Sequence, residues 1–552
     1  VINGGRGLLI AGPLVFLLLF FFYPVGKILF LAFSDQGQGP VAQFKAIFSD
    51  SYYLQTLWFT LWQAAVSTLL TLVTALPGAW VFARFNFRGK ALLQALLNVP
   101  FVLPTVVVAA AFQSLLGPKG LVNQWAMQGL NWAHPPIDIN HTAGFIILAH
   151  LFYNYSIVFR IVGSFWSHLP PRVAESAHML GASRWRVFID ITWPLLAPAV
   201  RAAALLVFLF CFCSFGVVLI LGGPRFATIE VEIYRQAVHL FNLPMAGALS
   251  VIQIGFTFVL MQRYTRMERR ESVSLDMRAA GGIPLRKPSD YALLATNIGF
   301  MAMLLGAPMA ALLVKSFQSA DGWSLIYYRS LFTNASQSIF FVPPVQAIYH
   351  SMQFATATML MAMVLGGLAA GFLAGGRGKY HGWLDPVFML PLSTSAVTLG
   401  FGFIVALDRP PLNLRTSLWL IPLAHTLVAL PFVIRSLTPA LRAVPQNLKE
   451  SAAMLGASPG RVWRTVDLPI VARAAAVGAV FAFTISLGEF GATVFVARPQ
   501  TPTMPLAIYR FLSQPGALNY GQAMAMSSLL MLATAAGFVG LELLRERAMG
   551  NF

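Results

Sequence analysis

Two glutamates, Glu175 and Glu450, hold the same place in two nearly identical segments 275 residues apart. The first segment reads Glu175-Ser176-Ala177 and then Met179-Leu180-Gly181-Ala182-Ser183. The second reads Glu450-Ser451-Ala452 and then Met454-Leu455-Gly456-Ala457-Ser458. Pro170 and Pro445 precede them, and proline suits a helix start. An early carboxylate complements the helix dipole. Gly181 and Gly456 stand where a helix can end or turn, with Arg184, Arg186 and Arg461 beyond. The chemistry on offer is contact, not catalysis: a short amphipathic helix with a bare glycine turn that another protein can approach closely. A helix resting on lipid headgroups is the plainer reading of one copy; two copies at matching places argue against it.

The elements that carry these segments are apolar. The chain has 552 residues, 57% hydrophobic and 10% charged, against about 25% charged in soluble proteins. A spanning helix needs about 20 mostly apolar residues. Such runs fall near 8–34, 55–83, 92–116, 143–166, 194–221 and 245–262, and again near 291–314, 350–373, 384–407, 416–437, 468–497 and 522–541. The expected fold is all-α and membrane-spanning, with twelve helices in two halves of six. The halves are 1–262 and 291–552, joined by a basic linker, 263–290, that includes Arg278 and Arg286. The run after Arg6 is too long for a signal-peptide core and reads as a retained first helix. A short leader missing before Val1 stays open.

The repeat supports this division. Leu148-Ala149-His150 recurs at 423–425, Arg160 as Arg435, Phe215-Gly216 as Phe490-Gly491, and Ile233-Tyr234-Arg235 at 508–510. Every pair is 275 apart, so the repeat needs no gap here. Six spans per half give both halves one orientation, a parallel repeat about an axis along the membrane normal. A path down that axis follows.

The net charge of +18 is explained by topology rather than by nucleic-acid binding. The basic residues sit in short loops on one face: Arg84, Arg88 and Lys90; Arg172, Arg184 and Arg186; the linker; Arg377 and Lys379; Arg442 to Arg464; Arg545 and Arg547. The positive-inside rule places that face, and both termini, in the cytoplasm. Cys211 and Cys213 lie two apart in one apolar run, on different sides of a helix, and form no zinc spacing. His150 and His425 suit interhelical hydrogen bonds better than metal binding. Arg160 and Arg435 suit snorkelling, and Asn154 helix–helix bonding. No Gly-x-x-x-x-Gly-Lys-Ser/Thr loop occurs, nor a catalytic cluster, so an enzyme is not expected and no cofactor is called for.

The duplicated segments resemble the "EAA" loop of binding-protein-dependent ABC importer permeases, with Ser176 and Ser451 in place of the central alanine. The later Leu-Pro of that loop is Leu468-Pro469 in the second half and Trp193-Pro194 in the first. The resemblance implies a type I importer permease fold in which each segment is a coupling helix docked on a cytoplasmic ATPase. It implies two ATPase copies, a periplasmic or lipid-anchored solute-binding protein, and the bacterial inner membrane as location. Fused double permeases of this length resemble the thiamine and ferric-iron types. Leu61-Trp62-Gln63-Ala64, Leu148 to Asn154, Cys211 to Phe215, Leu221 to Pro224 and Ala227 to Glu230 look more like the thiamine type. Ser486 to Gly491 looks like either. An ion-gradient transporter is the rival of another class; it would lack the paired segments and carry more intramembrane carboxylates.

Glu489 falls in an apolar run, opposite Ser214 in the repeat. Intramembrane carboxylates face bundle interiors or pathways. Glu489, Ser214, Phe215 and Phe490 are therefore candidates for the translocation path, with Glu489 suited to cationic cargo. Phe210, Phe212 and Trp62 are further ring partners for a cation, a contact of about 0.5–2 kcal/mol. A structural Glu489, paired with a neighbouring helix or backbone, remains the alternative.

Overall fold

Backbone polar groups in a bilayer must be satisfied within the chain, which leaves helices for runs like these. The computed structural model describes residues 3–34, 41–169, 171–271, 282–319, 322–333, 342–375, 379–408, 410 and 412–549. Pro170, Arg278 and Arg377 lie outside the described residues. Eleven described helices are long and apolar enough to cross a membrane, or twelve if one bent pair counts as a single span. Ten expected spans correspond to Ile10–Ala32, Ser51–Arg84, Ala143–Ser167, Arg184–Phe212, Leu243–Met267, Pro288–Phe317, Val345–Ala374, Leu420–Ala443, Pro459–Gly488 and Ala517–Gly540.

Two expected spans are not straight helices. The run 92–116 folds as Lys90–Val102 and Thr105–Leu116. The run 384–407 folds as Leu384–Ser393 and Ala396–Leu407, which meet at 96°. The cause is local. Leu103 precedes Pro104, which disfavours the helical region, and it is extended at φ −67°, ψ 139°. In the second half Ser395 is extended and caps the new helix, its hydroxyl accepting from the Thr398 backbone N–H at 3.1 Å. Each half thus places a helix N-terminus, Thr105 or Ala396, in its interior.

The repeat also needs a gap after all. Lys90–Val102 and Thr105–Leu116 have counterparts that begin at Lys379 and Ala396, 289 and 291 positions on. The register returns to 275 only after one loop. That loop, Gly117 to Thr142, has 26 residues in the first half; its counterpart, Asp408 to Trp419, has 12. The extra chain carries a helix, Leu121–Gly129. Asn123, fully buried, staples the loop closed. Its amide donates to the carbonyls of Gly117 and Ile137 at 2.9 and 2.8 Å and accepts from the Ile137 N–H at 2.9 Å. Lys315 of the second half adds a hydrogen bond to Gln124 at 2.5 Å.

The halves exchange their first helices. Ile10–Ala32 packs on Val345–Ala374 and Ala396–Leu407 of the second half. Pro24 and Ile28 lie so close to Gly402 that a Cβ there would meet each at 3.1 Å. Pro288–Phe317 packs in turn on Thr105–Leu116 of the first half. The helix of the first half's last span runs on to Glu271, so the first nine residues of the expected linker are helical. At the linker's far end, Ile283–Pro284 pairs as a short parallel strand with Phe85–Asn86.

Candidate functional site

Both duplicated segments are short helices, Pro171–Met179 and Gln446–Met454. Each ends in the same glycine turn. The Gly181 and Ala182 N–H groups donate to the carbonyls of His178 and Ala177, at 3.0 Å each. Gly456 and Ala457 repeat this to Ala453 and Ala452 at 2.9 and 3.0 Å. This is the Schellman arrangement, which needs a left-handed residue; Gly181 has φ 85° and Gly456 φ 82°. A Cβ at either glycine would meet nothing within 4 Å. The backbone conformation requires glycine here, and the space outside it is open. The Met-Leu pairs ahead of the turns are 89% and 89% exposed at Met179 and Leu180, and 89% and 88% at Met454 and Leu455. Glu175 and Glu450 are exposed, as are Ser176 and Ser451, while Ala177 and Ala452 are partly covered. The matched turns thus leave four large apolar side chains exposed, two on each short helix.

The two differ in how they are tied to the spans that follow. Lys449 and Asp467 form an ion pair at 2.6 Å that ties the second short helix to the span after it. The corresponding first-half positions hold Ala174 and Thr192, which cannot make it.

The axis lies between the ends of Arg184–Phe212 and Pro459–Gly488. Phe215 and Phe490, equivalent in the repeat, stack across it with ring centroids 5.6 Å apart and planes at 25°. Tyr234 packs edge-on to Phe215 at 5.5 Å, and Tyr509, its own equivalent, against Phe490 at 5.4 Å. The four rings form one cluster where the two halves meet. Gly216 and Gly491 sit beside the stack because the broken helices start there. A Cβ on Gly491 would meet Ala396 at 3.1 Å, and one on Gly216 would collide with Thr105. Of the other rings considered, Phe212 stacks on Phe256 at 4.4 Å, while the exposed Phe210 and Trp62 neighbour Phe101 and Phe59. Only Phe215 and Phe490 of that set come together.

Behind the stack the halves differ. Glu489 is 8% exposed. Its carboxylate accepts from the Ala492 and Thr493 N–H groups at 2.8 and 3.0 Å, accepts from the Thr493 hydroxyl at 2.7 Å, and lies 3.2 Å from His425 Nε2. It ends one helix and caps the start of the next, Thr493–Val496. Ser214 has a simpler part, bonding His150 Nε2 at 2.8 Å. Each histidine bridges helices: His150 reaches Ser67 at 3.1 Å, and His425 reaches Ser486 at 2.8 Å. Asn154 donates to the His150 carbonyl at 2.9 Å and to Cys211 Sγ at 3.3 Å. Arg160 and Arg435, both exposed, pack against the first pieces of the broken helices, over the Phe101 ring and at 3.4 Å from Met389 Sδ. Among the described residues no group of three or more His, Cys, Asp or Glu side chains could hold a metal ion.

Three residues around the stack are not singled out by the sequence. Tyr234 and Tyr509 stand in the repeated Ile-Tyr-Arg string, and that duplication is the signal that could have found them. Glu230, fully buried, accepts from Ser395 of the other half at 3.0 Å and from Gln253 at 2.5 Å. Its repeat position is Pro505, so duplication gives no hint of it.

With this geometry in hand, comparison with known proteins is decisive. Residues 75–272 and 362–548 each match the family described as the binding-protein-dependent transport system inner membrane component. The chain belongs to this family. The two matches fall on the two halves, each with its short exposed helix, and the permease is a fused, multi-pass inner-membrane protein. It is 26% identical over 490 residues to the thiamine transport system permease protein ThiP of Salmonella typhimurium, covering 87% of this chain and 88% of that one. It is 26% identical over 513 residues to the protein of the same name from Brucella abortus, covering 92% and 90%. Among solved structures, a bacterial ABC transporter involved in the import of the acidic polysaccharide alginate matches with 19% identity and a TM-score of 0.40, covering 48% of this chain and 94% of that one.

Proposed function

We propose that the permease imports thiamine, or a closely related compound, as the membrane part of an ATP-driven importer. The observation that carries the substrate is the likeness to proteins named as thiamine permeases over about nine-tenths of both chains. ATP is hydrolysed on separate subunits, since the sequence has no phosphate-binding loop. Two ATPase copies dock on Glu175-Ser176-Ala177 with Gly181, and on Glu450-Ser451-Ala452 with Gly456. The exposed Met-Leu pairs supply the apolar contact. A periplasmic or lipid-anchored binding protein delivers the solute at the opposite end. Both termini face the cytoplasm, which the basic loops on that side support.

The mechanism is alternating access. Closure of the ATPase pair draws the short helices together and rocks the halves, and the Phe215–Phe490 stack parts. Ser214 and Glu489 stand directly behind the stack. Glu489 lends negative charge to a path for a cationic solute once its cap on Thr493 loosens. The test is uptake into liposomes holding the permease with its ATPase and binding protein, with labelled thiamine beside labelled ferric iron. ATP-dependent thiamine uptake is the expected result. Iron uptake instead would keep the importer and replace the solute; uptake that needs an ion gradient and no ATP would overturn the class.

A further inference from the structure

Glu230 is a buried carboxylate to which alternating access, as proposed, assigns no part. It stands second in the short helix Ile229–Tyr234, between the spans Arg184–Phe212 and Leu243–Met267, and is fully buried. Its side-chain hydrogen bonds run in two directions. Gln253 Nε2, on the next span of the same half, donates to it at 2.5 Å. The Ser395 hydroxyl, from the second half, donates to it at 3.0 Å. That hydroxyl also accepts from the Thr398 N–H at 3.1 Å as the cap of Ala396–Leu407. The carboxylate thus reaches through one hydroxyl to the N-terminus of the other half's broken helix, where the helix dipole favours negative charge.

The opposite crossing of the halves cannot form this bond. Met504–Leu512 packs on Thr105–Leu116 as Ile229–Tyr234 packs on Ala396–Leu407. Pro505 stands at the repeat position of Glu230, Ser528 at that of Gln253, and Pro104 at the cap position held by Ser395. Neither proline has a polar side chain to offer. The two crossings therefore share their packing and differ in their chemistry. The two ends of the bond also belong with different rings of the stack. Tyr234, one turn after Glu230, packs on Phe215 at 5.5 Å. Ala396, next to Ser395, lies where a Cβ on Gly491 would meet it at 3.1 Å, and Gly491 follows Phe490.

We propose that Glu230 and Ser395 form a one-sided latch that holds the halves together while Phe215 and Phe490 are stacked, and that this latch breaks when the stack parts. Separating the two rings draws Glu230 away from Ser395, because each moves with its own ring. A hydrogen bond is lost within about 1 Å of stretch, so the latch is either made or broken. Hydrogen bonds to an ionised group are about twice as strong as neutral ones. Once the bond is broken, Glu230 keeps Gln253 and loses its partner in the other half. The latch therefore weights the equilibrium toward the stacked state, and the binding protein and ATP act against it. Glu230 is a positioning residue in this account and touches no solute. The inference rests on the reading of an ATP-driven importer in which ATPase closure parts the stack; it does not depend on which solute is carried.

The test is ATP hydrolysis by the full importer in liposomes, with and without its binding protein. Losing a merely structural bond lowers hydrolysis. Losing the latch raises it in the absence of binding protein, because the ATPase-closed state gains population. Ser395→Gly removes the hydroxyl, and glycine is tolerated as a helix cap. Basal hydrolysis is expected to rise about three- to tenfold, with stimulation by the binding protein reduced to match. Glu230→Gln keeps the shape and weakens the bond; a rise of about threefold is expected, and this variant still tests the latch if Ser395→Gly fails to fold. Ser395→Thr keeps the hydroxyl and should hydrolyse ATP at the wild-type rate. Adding Ser395→Gly to Glu230→Gln should give less than the product of the single effects, since both act on one bond. Basal hydrolysis unchanged or lowered in the variants that fold, with the wild type still stimulated by its binding protein, would overturn the latch and leave the importer standing. Solute uptake by the wild type that needs no ATP would overturn both.

Discussion

The coupling ends of the two halves are near copies, and their axial and far ends are not. At one end the same nine-residue helix, the same glycine turn and the same exposed Met-Leu pair occur twice. In the repeat Ser214 corresponds to Glu489, a 26-residue loop to a 12-residue one, and Glu230 to Pro505. A surface that meets two copies of one partner must present the same features twice. A path that carries one asymmetric solute along the axis has no such constraint, because both halves touch different sides of the same molecule. On the proposed function, the matched short helices fit two copies of one partner, and the unlike positions around the duplicated Phe215–Phe490 stack fit one asymmetric solute.

The comparison can be broken most forcefully at the turns. A β-branched residue at φ 85° or 82° costs roughly 1–2 kcal/mol and disrupts the docking shape. Gly181→Val with Gly456→Val is expected to lower ATP-driven uptake more than tenfold. Either single change should give a similar, smaller loss. Strongly unequal single effects, read as uptake per ATP hydrolysed, would contradict the equivalence of the two helices.

Next in size is the pair behind the stack. Glu489→Ala strips the cap from two N–H groups and removes one of the two groups beside His425 Nε2, which keeps Thr493, at a cost of about 2–4 kcal/mol. Ser214→Ala removes one neutral bond, about 1 kcal/mol. A thermal-unfolding midpoint in detergent should fall clearly further for the first. Equal shifts would mean that the two positions are still doing the same work.

The inserted loop sharpens the contrast at the far end. Asn123→Ala removes three hydrogen bonds from one buried side chain and is expected to destabilise the loop locally by about 2 kcal/mol. Hydrogen exchange should quicken in 117–142 and stay unchanged in 408–419. The smallest effect belongs to Lys449→Ala. Its ion pair with Asp467 is partly exposed on the lysine side, at 31%, so the loss is about 1 kcal/mol. Exchange should quicken in 446–454 alone, with less difference at high salt.

The repeat and the coupling helices are legible in the sequence because the same letters recur at one spacing, and a left-handed turn constrains Gly181 and Gly456 to glycine. Ten spans are legible because hydropathy integrates over 20 residues. The same averaging hides the breaks at Leu103–Pro104 and Thr394–Ser395, where a one- or two-residue dihedral change turns the chain without changing its apolarity. It also hides the inserted loop. The 275-residue spacing is measured on segments beyond that loop, so the shift to about 290 upstream leaves no trace in the motifs. Glu489 is legible as an ionisable residue in an apolar run, but its partners His425 and Thr493 depend on how the chain bends after Gly488.

The central claim is that solute passes along the axis closed by Phe215 and Phe490. The direct measurement replaces Cys211 and Cys213 by alanine, introduces Phe215→Cys and Phe490→Cys, and joins the two thiols with a short reversible crosslinker. The rings they replace lie 5.6 Å apart, so linkage is expected in the resting state. ATP-driven uptake should stop when the link forms and return when it is reduced. Uptake at the unlinked rate with the link intact would place the path elsewhere.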